Sequence, residues 1–284
     1  MAVKVPIIAQ CTVSLHHDRE IMVEELAAYL DRNRNLVFPH RHNFYHFLLF
    51  TEGAGEHSID FESFPITPGH LYFMSPGQIH SWNFQGDMQG YVVNFDKDFF
   101  KTFLLRPDYI SSLSFFSGIV RDEVLQIKED LLPSVIDILD KLNKAQHDKD
   151  FSRSALLYLF QLINQQREPS AYAAANVYNH TLLRNFLNLI EQHFKDLRLP
   201  KAYAELLYIT PNHLNALSKE ILGIPAGEVI RNRIILEAKR LLVIKDFSIS
   251  EIAYELNFND NSYFTKFFKK IEGLTPEEFR KKQQ

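Results

Sequence analysis

Ile249-Ser250-Glu251-Ile252-Ala253-Tyr254-Glu255-Leu256-Asn257-Phe258, followed after three residues by Ser262-Tyr263-Phe264, decides how the last third of this chain folds. Ser248 and Glu251 stand at the spacing of a capping box, so a helix opens at Ile249. Asn257 tolerates positive φ and marks the turn that ends it. A second helix starts near residue 260, with Phe264, Phe267, Phe268 and Ile271 as its buried stripe. Its outward face carries Asn261, Ser262, Thr265, Lys266, Lys269 and Lys270. Thr275 and Glu278 repeat the capping-box spacing, with Pro276 at the first helical position, where its missing N–H costs nothing. Two short helices a few residues apart are what a helix-turn-helix requires.

Upstream the same pattern recurs. Thr210-Pro211 opens a helix that Gly223 closes as a C′ residue. Leu214, Leu217 and Ile221 fall at i, i+3 and i+7, while Asn212, Asn215, Ala216 and Lys219, with His213 beside them, form the opposite face. Both outward faces set amides or hydroxyls before lysines. Amides pair bidentately with adenine edges, and lysine reaches guanine acceptors or phosphates. Between the two units, residues 226–243 are periodic in Val229, Ile230, Ile234, Ala238, Leu241 and Leu242. At about 1.5 Å per residue this helix is roughly 27 Å long. Successive major grooves lie about 34 Å apart, so such a spacer suits two recognition helices in adjacent grooves.

With Phe267-Phe268-Lys269-Lys270, Gly273-Leu274-Thr275-Pro276 and Phe279-Arg280 in order behind it, the opening segment resembles the C-terminal signature of the AraC/XylS family. The resemblance spans about 100 residues. It implies two helix-turn-helix subdomains and sequence-specific binding upstream of regulated promoters. Two departures stand out. Asn257 takes a turn position where the family usually has glycine. Asn212 and Ala216 lie where relatives often carry larger contacting side chains, so the first recognition helix is expected to read fewer bases than the second.

The first third reads differently. Short aromatic and β-branched runs (residues 44–50, 57–61, 71–74 and 91–95) alternate with Glu52-Gly53-Ala54-Gly55, Thr67-Pro68-Gly69 and Ser75-Pro76-Gly77 as turn signals. That spacing suggests a β-sandwich or small barrel. Eight of the twelve histidines lie in the first 80 residues. His40, His42 and His46 share one parity and so one face of a strand. With the later His80, the arrangement resembles a cupin barrel, in which a His-x-His pair, an acid and a distant histidine converge on a metal. His46 stands where that acid belongs. Regulators of this architecture usually hold an organic effector there, so the expected site is an effector pocket of His40, Arg41, His42, Tyr45, His46, Tyr72, His80 and Trp82, with no metal and no cofactor. A metal-dependent cupin enzyme is the rival reading, and the missing acid disfavours it.

From residue 125 the period turns helical. Leu131, Val135, Ile138, Leu139 and Leu142 share one face, and Leu156, Leu159, Phe160 and Ile163 another. The expected fold is therefore α+β multidomain: a cupin-like β-barrel over residues 1–125, a dimerising helical connector over 126–168, a linker over 169–179, and an all-α DNA-binding domain over 180–284. Charge divides accordingly, +3 from residue 180 onward and −7 before it, within a net −4. A balance that modest disfavours a non-specific DNA coat. The single cysteine, Cys11, permits no intramolecular disulfide. No apolar run reaches the length of a bilayer span, and no secretory signal opens the chain. A cytoplasmic, non-enzymatic homodimer is expected. Its partners would be double-stranded promoter DNA, a small-molecule effector and, as a candidate third, RNA polymerase.

Overall fold

A computed structural model describes residues 7–8, 20–33, 39–106, 109–116, 120–166, 177–243 and 247–283. The chain divides into two compact units, Pro6–Glu168 and, toward the C-terminus, Pro169–Gln284.

In the first unit the strands are β1 (Ile7–Ile8), β2 (Ile21–Glu25), β3 (His40–His42), β4 (Tyr45–Ile59), β5 (Glu62–Pro65), β6 (His70–Met74), β7 (Ile79–Phe95) and β8 (Val124–Gln126). They form one sheet ordered β1-β3-β7-β4-β6-β8, with β2 also on β7 and β5 also on β4. All pairings are antiparallel except β1 with β3. The sheet is of the cupin-like kind the sequence led us to expect. It is not a closed barrel, however: no pairing joins β8 back to β1 among the described residues.

The long β4–β7 pair organises this unit. The sequence reads residues 44–50 and 57–61 as separate strands around a glycine turn; Tyr45–Ile59 is instead one strand. The glycine segment is instead an irregularity, with register shifts at Phe50/Glu52 and Glu52/Ala54. Gly55 has φ +129°, and a Cβ there would lie 2.2 Å from the Asn83 carbonyl oxygen. Such bulges change which residues of a strand face inward. Before them, His46, Leu48 and Phe50 turn to one face and Phe47 and Leu49 to the other. After them, it is the odd residues His57 and Ile59 that are buried beside Leu48 and Phe50.

Each face has its own core. One joins Phe47, Leu49, Phe73, Val93 and Phe95 to the apolar stripes of α3 (Leu132–Ala145) and α4 (Lys149–Gln166). Every residue of the α4 stripe read from sequence is buried in it, as are Val135, Ile138, Leu139 and Leu142 of α3. These helices are thus part of the sheet's own core. The other core packs Met22, Tyr72, Met74, Trp82 and Val92 against α1 (Leu26–Arg32). A short helix α2 (Val120–Glu123) precedes β8.

The second unit is helical: α5 (Val177–His193), α6 (Pro200–Leu206), α7 (Pro211–Leu222), α8 (Ala226–Val243), α9 (Ile249–Glu255), α10 (Asn261–Glu272) and α11 (Pro276–Lys282). Of the expected linker, residues 169–176 lie outside the described residues, and 177–179 are the first turn of α5. Both capping boxes form, Ser248 with Glu251 and Thr275 with Glu278. The Thr210 hydroxyl accepts from the His213 N–H, and the Asp260 carboxylate from that of Ser262.

Candidate functional site

The helix pairs α6–α7 and α9–α10 repeat one another in detail. Tyr208 and Asn257 both adopt φ +56° at the turn. Behind them, Ile209 N–H donates to the Ala204 carbonyl and Phe258 N–H to that of Ala253. Gly223 and Gly273 end the second helix of each pair in the left-handed conformation, at φ 76° and 77°. Positive φ at Asn257 is what the sequence required of the turn. The asparagine also serves a second purpose, since its amide donates to Asp196 at 2.6 Å. Around it, the Arg198 guanidinium donates to the carbonyls of Leu256 and Asn257, at 2.6 Å each, and lies 3.7 Å over the Phe258 ring. Lys195 pairs with Glu255. The segment before α6 thereby clamps the turn of the second pair.

On the outward faces, Asn212, His213, Ala216 and Lys219 of α7 are exposed, as are Asn261, Ser262, Lys266, Lys269 and Lys270 of α10; Thr265 is half-buried. Asn215 is committed elsewhere, because its side-chain oxygen accepts from the Ala226 N–H at the start of α8. Asn261 reaches back to the Ser250 hydroxyl at 3.1 Å, which sets its amide at the junction of α9 and α10. The cations divide by location. Lys195, Lys201, Arg233, Lys239 and Arg240 are ion-paired within the unit. Among the described residues, no ion pair engages Lys219, Lys266, Lys269 or Lys270. Cations left to solvent on two equivalent faces are what phosphate and base contacts need.

In the first unit, five histidines meet on the inner face of the sheet, each at most 4% exposed: His40, His42, His46, His57 and His80. His40 and His80 are paired residues of β3 and β7, and His46 and Asn94 of β4 and β7. Ring nitrogens of His40, His42 and His80 lie within 4.8 Å of one another. Nε2 of His80 is 2.8 Å from Nε2 of His42, and its Nδ1 is 3.2 Å from Nε2 of His57. His46 donates through Nδ1 to the Asn94 side-chain oxygen at 2.5 Å, and its Nε2 has no hydrogen-bond partner. Burial is the main cause that holds four of these imidazoles, those of His42, His46, His57 and His80, neutral. It lowers His46 to about 4 against the opposing Asn94 bond and His57 to about 3, and puts His42 and His80 well below the usual range.

The other expected effector residues are dispersed. Trp82 packs edge-on to His40 and His80, and also lines a cavity of about 540 Å³ with Pro39, Glu56, Ser58, Ser81, Asn83 and Phe84. Tyr72 lies beside His57, its hydroxyl donating to the Pro65 carbonyl. Tyr45 and Arg41 fall on the opposite parity from the histidines. Tyr45 accordingly stacks on Phe95, in the core beneath α3 and α4. His57 and Asn94 belong to the cluster but were not singled out in the sequence. The alternation of residues 57–61 was the only available signal for His57, and nothing local marked Asn94.

A helical unit with two matching helix-turn-helix pairs, together with a sheet unit that has a polar interior, defines a DNA-binding transcriptional regulator with a ligand-binding domain. Two family models match: an AraC-like ligand binding domain over residues 25–161 and a helix-turn-helix domain over residues 203–282. The chain belongs to the AraC family of transcriptional regulators. It is 23% identical to the arabinose operon regulatory protein of Salmonella typhimurium over 238 residues, 82% of each chain. It is 35% identical to the uncharacterized transcriptional regulatory protein YesN of Bacillus subtilis over 118 residues, 40% of this chain, and spans only 32% of that protein. Among solved structures, ToxT from Vibrio cholerae O395 is similar over 92% of this chain and 97% of that one, at 13% identity and a TM-score of 0.44.

Proposed function

We propose that α7 and α10 enter successive major grooves on one side of promoter DNA. In this reading Asn212, His213, Asn261, Ser262, Thr265 and Lys266 approach base edges, and Lys219, Lys269 and Lys270 hold phosphates. Ala216 leaves room for close backbone approach, and Asn215 positions α8. The observation that carries the reading is the pair of matching faces with unpaired cations, joined by the 18-residue α8. The effector is a small molecule or ion taken up on the inner face of the sheet among His40, His42, His46, His57, Tyr72, His80 and Trp82. An effector alters regulation by binding one DNA-competent arrangement more tightly than another. The chain works as a homodimer in the cytoplasm without enzymatic activity, and RNA polymerase is its candidate protein partner. The exposed Phe151 and Tyr158 of α4 support a subunit contact there. No helix of the described residues is long and apolar enough to cross a membrane.

Footprinting on sites selected from genomic fragments tests the geometry. Two protected patches about one helical turn apart are expected from each bound monomer. A single patch on every selected site would refute the two-groove arrangement.

A further inference from the structure

The five buried histidines leave a bonding problem on the inner face of the sheet. A neutral imidazole has one N–H and one lone pair. His46 gives its proton to Asn94, so the lone pair on its buried Nε2 has no partner. His42 and His80 face each other nitrogen to nitrogen at 2.8 Å, and ring nitrogens of these two and of His40 lie within 4.8 Å of one another. The His46 ring is centred 5.1 Å from that of His42 and 5.3 Å from that of His80. A tetrahedral ion about 2.0–2.1 Å from each nitrogen requires the nitrogens about 3.4 Å apart. The observed separations bracket that figure, so small ring rotations would complete the set.

We propose that His40, His42 and His80 bind a divalent late transition-metal ion, with His46 as the fourth ligand. The donor set is entirely imidazole, which suits cobalt, nickel, copper or zinc and not the oxygen-seeking magnesium, calcium or manganese. Histidine in the place of an acid is thus no obstacle: Asn94 fixes the tautomer that presents Nε2. His57 acts the same way on His80. By accepting from Nδ1–H it leaves the His80 Nε2 lone pair for the ion. His57 and Asn94 are positioning residues.

This inference rests on reading the inner face of the sheet as the effector site. The test uses the full-length, untagged chain, stripped with a chelator and titrated with Co²⁺, then Zn²⁺. One Co²⁺ per chain with intense visible d–d bands is expected, displaced by Zn²⁺. X-ray absorption of the Zn²⁺-loaded wild-type chain should show three or four nitrogen neighbours at about 2.0 Å, and needs no variant. His42→Gln and His80→Gln should lower affinity at least about 100-fold, and His57→Gln and Asn94→Leu about 10–100-fold. His70→Gln, outside the cluster, should have no effect. Well under one Co²⁺ per chain, or oxygen-dominated coordination, would overturn the metal site. So would unchanged affinity in folded His42→Gln and His80→Gln. Stoichiometric metal without any change in promoter-DNA affinity would uphold the site and refute the effector reading. An organic compound that shifts DNA affinity through Trp82, with no metal bound, would do the reverse.

Discussion

Asn257 offers a measurement that separates backbone conformation from side-chain bonding. It adopts φ +56° and donates to Asp196. Replacing it with alanine removes the hydrogen bond, worth about 1 kcal/mol net. It also puts a residue without local compensation into the left-handed region, which costs a further 1–2 kcal/mol, of order. Asn257→Gly loses the same bond but relieves the backbone, so the two contributions offset to within about 0.5–1 kcal/mol. The ordering is therefore wild type near Asn257→Gly, with Asn257→Ala about 2 kcal/mol below. For a domain of about 100 residues, that corresponds to a fall in Tm on the order of 10 °C. Urea unfolding of a fragment of residues 169–284 gives the free energies. Asp196→Ala in the wild-type and Asn257→Gly backgrounds isolates the bond: about 1 kcal/mol lost in the first, nothing in the second. Alanine and glycine variants of equal stability would refute the claim that positive φ governs this position.

Replacing Lys266 or Asn261 with alanine should relax base preference at particular operator positions, by about 1–3 kcal/mol each in selection assays; uniform weakening from Asn261→Ala would mean that it serves only the Ser250 contact. Lys269→Ala and Lys270→Ala should weaken binding to all sequences and each lower the slope of log K against log salt by about one. In the sheet unit, Gly90→Ala should lower Tm sharply or abolish soluble expression, since a Cβ there would lie 1.8 Å from the Leu49 carbonyl oxygen at φ +142°; retained stability would show that the β4–β7 register relaxes easily. Arg198→Met keeps apolar contact with Phe258 but removes two charged hydrogen bonds to carbonyls, each about 1.5–3 kcal/mol. A loss above about 2 kcal/mol in the same fragment is expected, and a loss below 0.5 would show that the clamp on the second helix pair is idle.

From Thr210 onward the helical unit was legible in the sequence, whereas α6 before it was not. Thr210, Ser248, Thr275 and Gly223 mark where helices start and stop through contacts with residues three or four positions away. The stripes Leu214–Leu217 and Phe264–Phe268 follow from the helical period alone. Such signals are local, and sequence order preserves them. Even here, what lay between elements was hidden. The Asn215 bond to the start of α8 and the Arg198 clamp join residues 11 and about 58 positions apart.

In the sheet unit, the common face of His40 and His42 could be read from the chain, because alternation is a property of a single strand; His46 lies on the next strand, β4. Which histidines meet could not. His57 joins His46 on one face because the bulges between Phe50 and Ala54 reverse the parity of β4 midway, and a strand's own sequence does not reveal where its partner's register slips. Asn94, 48 residues from His46, sets the tautomer of that ring only through β4–β7 pairing. The sequence by itself determined the helices, their outward faces and the kinship of the chain. Tertiary structure alone decided which side chains converge in the interior and in what protonation state, because both depend on long-range register and burial.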